Sequence, residues 1–287
     1  MRWSVKPAAA PVRQQGSTVD NHTTSTSEVH TISSINQLQE YEKRHIYSRL
    51  IPPELIERFN IQGDFTDRQG NPLWLLMAEK GSPVAEMKLY HQAGFADPVL
   101  YGQITDTLNG QLHIMLYILN DPDSRRFDVD RMPDGRMTNF GTLSRNLEAE
   151  QKAMEYGLAP GQVRHGLRML GSAIQGFEQF ISSLGNDLYF AEPLYYHNAI
   201  LFERYGFAYQ KGMKLMGRIA DGFSLDGDLV PQLDDPSPFR RPEAVNSIRM
   251  RSWAIHDGLL GEPFTGVTMY KRIRKSSGIN TSPNTPW

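Results

Sequence analysis

The chain has 287 residues, of which 39% are hydrophobic, so it is long enough to bury one large core or two small ones. It contains no cysteine, which excludes disulfides, thiolate metal sites and a cysteine nucleophile. The formal net charge of -2 argues against the broad basic surface that nucleic-acid binding requires. No apolar run reaches the roughly 20 residues of a membrane-spanning helix, and no apolar secretory segment follows Met1. We therefore expect a cytoplasmic protein that binds neither nucleic acid nor membranes.

Both ends of the chain have a low content of large apolar residues. Residues 1–33 are rich in Ser, Thr, Pro and Gln, so burial cannot offset the entropy of ordering them, and we predict a disordered tail. Residues 276–287 resemble them and are predicted to be flexible. Between the tails we expect a domain at 34–220 and an extension at 221–275 packed on it. The sequence gives no indication of the oligomeric state.

The first part of the domain is predicted to contain two helices, at 35–50 and from 52 onward, and then a mainly antiparallel sheet. The predicted strands are 73–78, 84–91, 99–107 and 111–120. Asn109-Gly110 predicts a two-residue hairpin turn, because both residue types tolerate a positive φ. Alternation along the last of these strands predicts that four side chains face one core: Leu112, Ile114, Leu116 and Ile118.

Residues 121–143 carry many Asp, Arg, Pro and Gly residues, which predicts a long loop or an insertion. Asp121 and Asp123 begin like a calcium-binding EF-hand loop. The glycine at the sixth position and the glutamate at the twelfth are missing, so we reject a calcium site.

The second half of the domain alternates helices and strands, as α/β proteins do. Helices are predicted at 146–156 and 197–205, and strands at 187–192, 207–219 and 265–273. Apolar residues recur at steps of four and three from Val163 to Leu184, which predicts a long helix over 160–184 that Gly185 ends.

Residues 201–207 read Leu-Phe-Glu-Arg-Tyr-Gly-Phe. This run resembles the Leu-Tyr-Glu-x-x-Gly-Phe signature of the GNAT superfamily of acyl-coenzyme A N-acyltransferases. The setting is also similar, since an antiparallel hairpin, a long helix and a short strand precede the run. The resemblance covers roughly residues 70–220 and implies an α/β (α+β) fold with a mixed, mainly antiparallel sheet flanked by helices.

The resemblance also implies where acetyl-coenzyme A, or another acyl-coenzyme A, binds as co-substrate. Residues 168–173, Arg-Met-Leu-Gly-Ser-Ala, match the family's Gln/Arg-x-x-Gly-x-Gly/Ala motif, which holds the pyrophosphate at a helix N-terminus. The predicted helix begins earlier, however, and would enclose this match. A second choice, residues 162–166, lies nearer the predicted helix start. The candidate cofactor-binding residues are Arg164, His165, Gly166, Arg168, Gly171 and Asn198.

Acyl transfer to an amine needs a base for the ammonium proton and an acid for the leaving thiolate. The family's acid is often a tyrosine, whose place here is taken by Phe202, and Tyr195 stands where the family often has asparagine. Nearby polar residues are the substitutes. Glu192 or His197 is a candidate base, and Tyr195, Tyr196 and Tyr205 are candidate acids. From these five we favour Glu192, Tyr196 and Tyr205 as catalytic residues. Each also has an ordinary structural interpretation as a packing or capping residue.

The resemblance implies transfer of an acetyl or other acyl group from coenzyme A to an amine of a small molecule or peptide. Because Phe202 replaces the family's usual acid, a catalytically silent binding or scaffold module is an alternative interpretation. A second alternative is a metal-dependent enzyme that uses His256 and Asp257. Ligand spacing such as His-Glu-x-x-His is absent, so we expect no metal.

Overall fold

The computed structural model describes residues 30–138, 144–234 and 237–287, which form a seven-stranded mixed sheet with helices around it. The spatial order of the strands is β1-β2-β3-β4-β5-β7-β6, and β4 and β5 form the parallel pair among antiparallel neighbours. This confirms the α/β class and the mainly antiparallel sheet. The strands are β1 Trp74–Met77, β2 Val84–Leu89, β3 Leu100–Asp106, β4 Leu112–Leu119, β5 Leu188–Ala191, β6 Ala208–Lys211 and β7 Thr268–Arg272.

The first helices and the long helix α5 cover one face of the sheet. Phe177 of α5 packs edge-on against Tyr117 of β4, with ring centroids 5.0 Å apart. Phe180 stacks on Tyr47 at 6.2 Å and so joins α5 to the early helices. The helices are α1 Ile32–Ile35, α2 Glu40–Tyr47, α3 Pro53–Arg58, α4 Leu147–Glu155, α5 Leu170–Ser183, α6 Tyr196–Arg204, α7 Met213–Gly222 and α8 Ile248–His256, with 3-10 turns at Ser48–Leu50, Val230–Asp234 and Pro242–Asn246.

Helix α1 lies partly inside the range predicted to be disordered. Ile32 and Ile35 are fully buried, and the Asp106 carboxylate accepts hydrogen bonds from the backbone N–H groups of Ile32 (2.7 Å) and Ser33 (2.8 Å). A carboxylate at a helix N-terminus satisfies N–H groups that have no partner within the helix. The prediction was therefore wrong for residues 30–33, and residues 1–29 lie outside the described part of the chain.

The hairpin predicted at Asn109-Gly110 joins β3 to β4, but its loop has a different length. Thr107 and Gln111 are hydrogen-bonded, so residues 108–110 close the turn, and Gly110 adopts a φ of +73°. A three-residue loop with glycine in the left-handed position is a common alternative to the two-residue turn.

A β-bulge changes which side chains of β4 face the core. Leu112 and Ile114 are buried, as predicted. Met115 is an extra residue between the pairs Ile104↔Ile114 and Gln103↔Leu116, and it shifts the alternation by one. Leu116 and Ile118 therefore lie on the opposite face and are only partly buried, so the prediction of one shared core was wrong for these two.

The long helix predicted at 160–184 begins only at Leu170. Gly161 and Arg168 have φ values of +78° and +59°, which a right-handed helix cannot contain. The segment between them lies beside the end of β4, where Leu167 N–H donates to Leu119 O at 3.2 Å. The apolar residues of this segment continue the helical spacing without forming a helix.

The strand predicted at 207–219 ends at Lys211, and α7 follows. Gly212, with a φ of +93°, turns the chain, and the buried Met216 and Ile219 are then three residues apart on one helix face. The strand predicted at 265–273 is β7, which lies between β5 and β6. Residues 268–272 thus complete the sheet, although they lie beyond the predicted domain boundary at 220.

The C-terminal strap, residues 276–287, packs against α6 instead of forming the predicted flexible tail. Glu203 of α6 is 3% exposed and accepts three hydrogen bonds, from the hydroxyl of Tyr209 (2.6 Å) and from the backbone N–H and hydroxyl of Thr281 (2.8 Å each). Trp287 lies edge-on to His197, with ring centroids 6.0 Å apart. The motif glutamate therefore has a structural role in this chain.

Replacing Gly206 by alanine is expected to loosen the packing of the C-terminal strap against the end of α6. Gly206 has a φ of +81°, and a Cβ there would lie 2.9 Å from Ser276 Cα. We expect Gly206→Ala to lower the free energy of unfolding by about 1–3 kcal/mol, measured by urea denaturation. Gly63→Ala is the matched control, because nothing lies within 4 Å of its added Cβ and its φ is not positive. Equal stability of the two variants would contradict the prediction.

Candidate functional site

The parallel strands β4 and β5 are paired over only two residue pairs, His113↔Phe190 and Ile114↔Ala191. Beyond Ala191 the strands part, while β4 continues to Leu119. The bulge at Met115 lies directly at the point of separation. The sheet therefore opens along one edge of β4 at the carboxyl ends of two parallel strands, where α/β proteins bind ligands.

A cavity of about 570 Å³ fills this opening. Its lining comes from both faces of the sheet, with Tyr101 and Leu116 on one face and Phe177 and Tyr189 on the other. The cavity is large enough for an extended small molecule that passes between the two strands.

The candidate pyrophosphate motif lies at the start of α5, not inside a helix. The first helical hydrogen bond runs from Ala173 N–H to Met169 O at 3.0 Å, so the preceding N–H groups have no partner within the helix. Arg168 is exposed with a φ of +59°, a conformation that costs an arginine about 1–2 kcal/mol. The cost marks this turn as one that the surrounding structure enforces.

A carboxylate already lies near this helix end. The Ser172 hydroxyl donates to Glu54 Oε1 at 2.6 Å, and this hydrogen bond lowers the pKa of the exposed Glu54. Gly171, in the same turn, lies under Tyr205, because a Cβ there would be 3.7 Å from the phenol oxygen. Tyr205 is 37% exposed and does not line the cavity. The structure thus brings Arg168, Gly171 and Tyr205 to one helix end, outside the cavity lining.

Arg164, His165 and Gly166 lie in the segment that borders the cavity. The guanidinium of Arg164 donates to Asp97 at 2.9 Å and to the carbonyl oxygen of Ser124, so its donors are largely engaged by the protein. His165 donates its backbone N–H to the Ser124 hydroxyl. Gly166 is exposed and lines the cavity next to the end of β4.

Glu192 and Asn198 line the cavity at the start of the connection from β5 to α6. No hydrogen bond or ion pair joins the Glu192 carboxylate to another described residue. Burial lowers the pKa of His113 on β4, and the negative charge of Glu192 partly offsets this effect. Glu192 is thus an unpaired, half-buried carboxylate at the point where the strands separate.

Tyr196, in contrast, points away from the cavity. It is 1% exposed, and its hydroxyl lies 3.0 Å from the Ser282 hydroxyl of the C-terminal strap. Tyr195 and Phe202 both line the cavity, and Phe202 stacks on Phe207 at 4.9 Å. Burial raises the pKa of Tyr195, as does the charge of Glu150, so this phenol remains protonated at neutral pH.

Glu150 is a cavity residue that the sequence did not single out. It belongs to α4 and is 2% exposed, and its carboxylate pairs with Arg145 and with His256. Its helix was predicted correctly, but a glutamate on an amphipathic helix is usually solvated. Only the packing of α8 against α4 reveals that it is buried, and no local pattern carries that information.

His256 and Asp257, the proposed metal pair, have different partners. His256 Nε2 lies 3.3 Å from Glu150 Oε1, whereas Asp257 accepts hydrogen bonds from Arg145 (2.6 Å), Ser237 (2.6 Å) and Arg240 (3.1 Å). Within residues 30–138, 144–234 and 237–287, no group of three or more His, Asp or Glu side chains is arranged to hold a metal ion.

Comparison of the chain with protein-family models, with curated proteins and with solved structures found no match. In the part of the chain that the structure describes, no helix combines the length and the apolar character needed to cross a membrane.

His197 predicts a pH dependence of stability. Burial, with a smaller contribution from His256, lowers the pKa of His197 from 6.5 to about 3. Between these values the unfolded chain binds a proton that the folded chain does not, so the free energy of unfolding decreases as the pH falls, by up to about 1.4 kcal/mol per pH unit. We expect urea denaturation at pH 7 to 4 to show a shallower decrease for His197→Asn than for the wild type. Asparagine can retain the 2.9 Å contact of Nδ1 with Ser252. Exposed His45→Asn is the control, and parallel profiles for all three proteins would refute the assignment.

Proposed function

We propose that this chain transfers an acyl group from coenzyme A to an amine. The observation that carries the proposal is the separation of the parallel strands β4 and β5 around a cavity of about 570 Å³. Between Ile114 and Leu119, β4 keeps its pairing with β3 but has no strand partner on the other edge, so backbone donors and acceptors there are available to an amide-containing chain. The pantetheine arm of coenzyme A, with its two amides, fits this requirement.

The start of α5 supports the same proposal. Unbonded N–H groups and the positive end of the helix dipole favour a phosphate group. Arg168 adds an exposed cation next to them. The match of residues 168–173 to the family motif, which the predicted helix would have enclosed, thus coincides with a helix N-terminus.

The chemistry at the cavity is assigned to residues that line it. Glu192 supplies a negative charge that attracts an ammonium group to the point where the thioester would lie. Tyr195 supplies a protonated phenol near the start of α6, where Phe202 has no proton to give. Tyr196 and Tyr205, favoured from the sequence, do not line the cavity, so we give them no direct role in proton transfer.

A catalytically silent binding module is the second candidate. Glu54 favours it, because its carboxylate lies at the helix end where the pyrophosphate would bind, through a 2.6 Å hydrogen bond from Ser172. Two anions at one helix end repel each other, so bound coenzyme A requires Glu54 to move away. The two candidates differ in turnover, and both predict ligand binding in the cavity.

Calorimetric titration with acetyl-coenzyme A tests the binding site. We expect heat of binding for the wild type and a dissociation constant about two- to fivefold lower for Glu54→Gln, because the amide removes a negative charge from the helix end. Glu57→Gln, an exposed position on the same helix, is the matched control and should bind like the wild type. The absence of binding at millimolar ligand would refute the coenzyme A site.

Release of free thiol in the presence of amines tests the activity. We expect Glu192→Gln to reduce kcat/KM about 10- to 100-fold, mainly through a higher KM for the amine, because the amide cannot attract an ammonium ion. Exposed Glu262→Gln is the control for the loss of one carboxylate. Unchanged kinetics of Glu192→Gln would remove Glu192 from the mechanism. If neither the wild type nor a variant releases thiol, the result favours the silent module.

A further inference from the structure

A histidine–carboxylate pair that has no role in the proposed function so far lines the cavity. His256 is the last residue of α8, and its Nε2 lies 3.3 Å from Oε1 of Glu150 on α4. Both side chains line the cavity, and both are largely buried, with 11% and 3% of the side chains exposed. The pair connects two elements that are more than one hundred residues apart in the chain.

Glu150 is held as a carboxylate. Burial by itself would raise its pKa, but hydrogen bonds from His256 and from Arg145 bring the pKa below its usual value. Arg145 donates to Glu150 Oε2 from both Nε (2.8 Å) and Nη2 (2.5 Å), and Asp257 fixes the same guanidinium through Nη1 at 2.6 Å. The carboxylate can therefore only accept a hydrogen bond, so Nε2 of His256 is the nitrogen that carries hydrogen.

The remaining ring nitrogen, Nδ1, makes no hydrogen bond to another residue in the described part of the chain. With hydrogen on Nε2, the neutral imidazole has its lone pair on Nδ1. A carboxylate behind Nε2 stabilises the imidazolium that forms when Nδ1 accepts a proton.

The other groups around His256 do not compete for this role. Tyr195 lies edge-on to the imidazole at 5.5 Å, and its phenol stays protonated because burial raises its pKa. His197, on α6, stacks on Tyr195 and has a pKa of about 3, chiefly because it is buried. Asp257, the next residue, is bound to Arg145 and Arg240, and Trp253 on α8 carries no titratable group.

We propose that His256 accepts a proton from the acceptor amine and that Glu150 positions its imidazole, an inference that rests on the proposed acyl transfer. One N–H proton of the ammonium passes to His256 Nδ1, which frees the lone pair of the nitrogen. The nitrogen then forms a bond to the thioester carbonyl carbon, and the carbon–sulfur bond breaks with its electron pair on sulfur. The Tyr195 phenol gives its proton to the thiolate and regains the second proton that nitrogen loses as the amide forms, and His256 returns its proton to water.

This assignment separates two tasks within the cavity. Glu192 lines the cavity without a hydrogen-bond partner in the described part of the chain and provides charge for binding the ammonium. Histidine is the side chain best suited to exchange protons near neutral pH. His256 is thus a catalytic residue in this scheme, and Glu150 is a positioning residue.

The test measures thiol release from acetyl-coenzyme A with tryptamine, spermidine and a lysine-containing peptide. We expect His256→Ala to reduce kcat/KM about 100-fold with unchanged affinity for acetyl-coenzyme A, and added imidazole to restore at least about tenfold. Glu150→Gln keeps a hydrogen-bond acceptor but removes the charge that stabilises the imidazolium. It should therefore move the acidic limb of the kcat/KM profile to lower pH. His45→Ala, an exposed histidine on α2, is the control and should behave like the wild type.

The outcomes separate the two proposals. Wild-type-like activity of a folded His256→Ala variant, or a folded variant that imidazole does not rescue, would overturn the role of His256 and leave acyl transfer standing. If His256→Ala does not fold, the pH profile of Glu150→Gln decides, and an unshifted acidic limb overturns the proposal. A wild-type protein that releases no thiol with any of the amines would overturn both.

Discussion

The early separation of β4 and β5 is the constraint on which the site depends. Two parallel strands joined over two residue pairs leave one edge of β4 without a partner in the middle of a sheet. Backbone groups in such a position require other partners, because unpaired polar groups are costly when buried. A cavity that admits a ligand or water satisfies this requirement. The bulge at Met115 lies next to Ile114, the last residue of β4 that pairs with β5, and a bulge bends the strand that contains it.

Two clusters of charged side chains keep the surrounding segments in place. Asp97 accepts hydrogen bonds from both Arg126 and Arg164, so it ties the chain that follows β4 to the segment that borders the cavity. On the other side, Arg145 joins Glu150 to Asp257 and thereby α4 to α8. The side chains of Arg145 and Arg164 are 20% and 10% exposed, so removal of a carboxylate partner would leave a poorly solvated charge. Arg164 and Glu150, which line the cavity, are therefore held by ion pairs, and side chains such as Ile174 and Phe177 form the apolar part of the lining.

The sequence predicted the elements whose signals are local. The strands of the first sheet half, the hairpin at Gly110 and helices α4 and α6 follow from alternation, turn residues and caps. Where the predictions failed, a non-local contact decided the outcome. Residues 160–167 have helical spacing, but the backbone of residues 165–167 bonds to the chain at the end of β4, and Ile32 is ordered by Asp106 from β3. The bulge that reverses Leu116 and Ile118 likewise depends on the partner strand.

Non-local contacts also decide which candidate site residues reach the cavity, as Glu192 and Tyr196 show. Both stand in the short segment around the start of α6, and no local pattern distinguishes them. Glu192 lines the cavity without a partner, whereas Tyr196 is one helical step past the turn and points to Ser282. Glu150 and His256 had no signal at all as a pair, because their contact joins α4 to α8 across an interval of about one hundred residues.

The motif at 201–207 acquires a specific physical meaning in this structure. Its glutamate, Glu203, accepts hydrogen bonds from β6 and from the C-terminal strap, and its glycine, Gly206, admits Ser276 where a side chain would collide. Its two phenylalanines stack on each other beneath the cavity. Every one of these contacts stabilises the arrangement of α6 against the sheet, and none of them moves a proton. The letters of the motif therefore describe how the helix is held, and the proposed proton transfer is assigned to residues outside the motif that line the cavity.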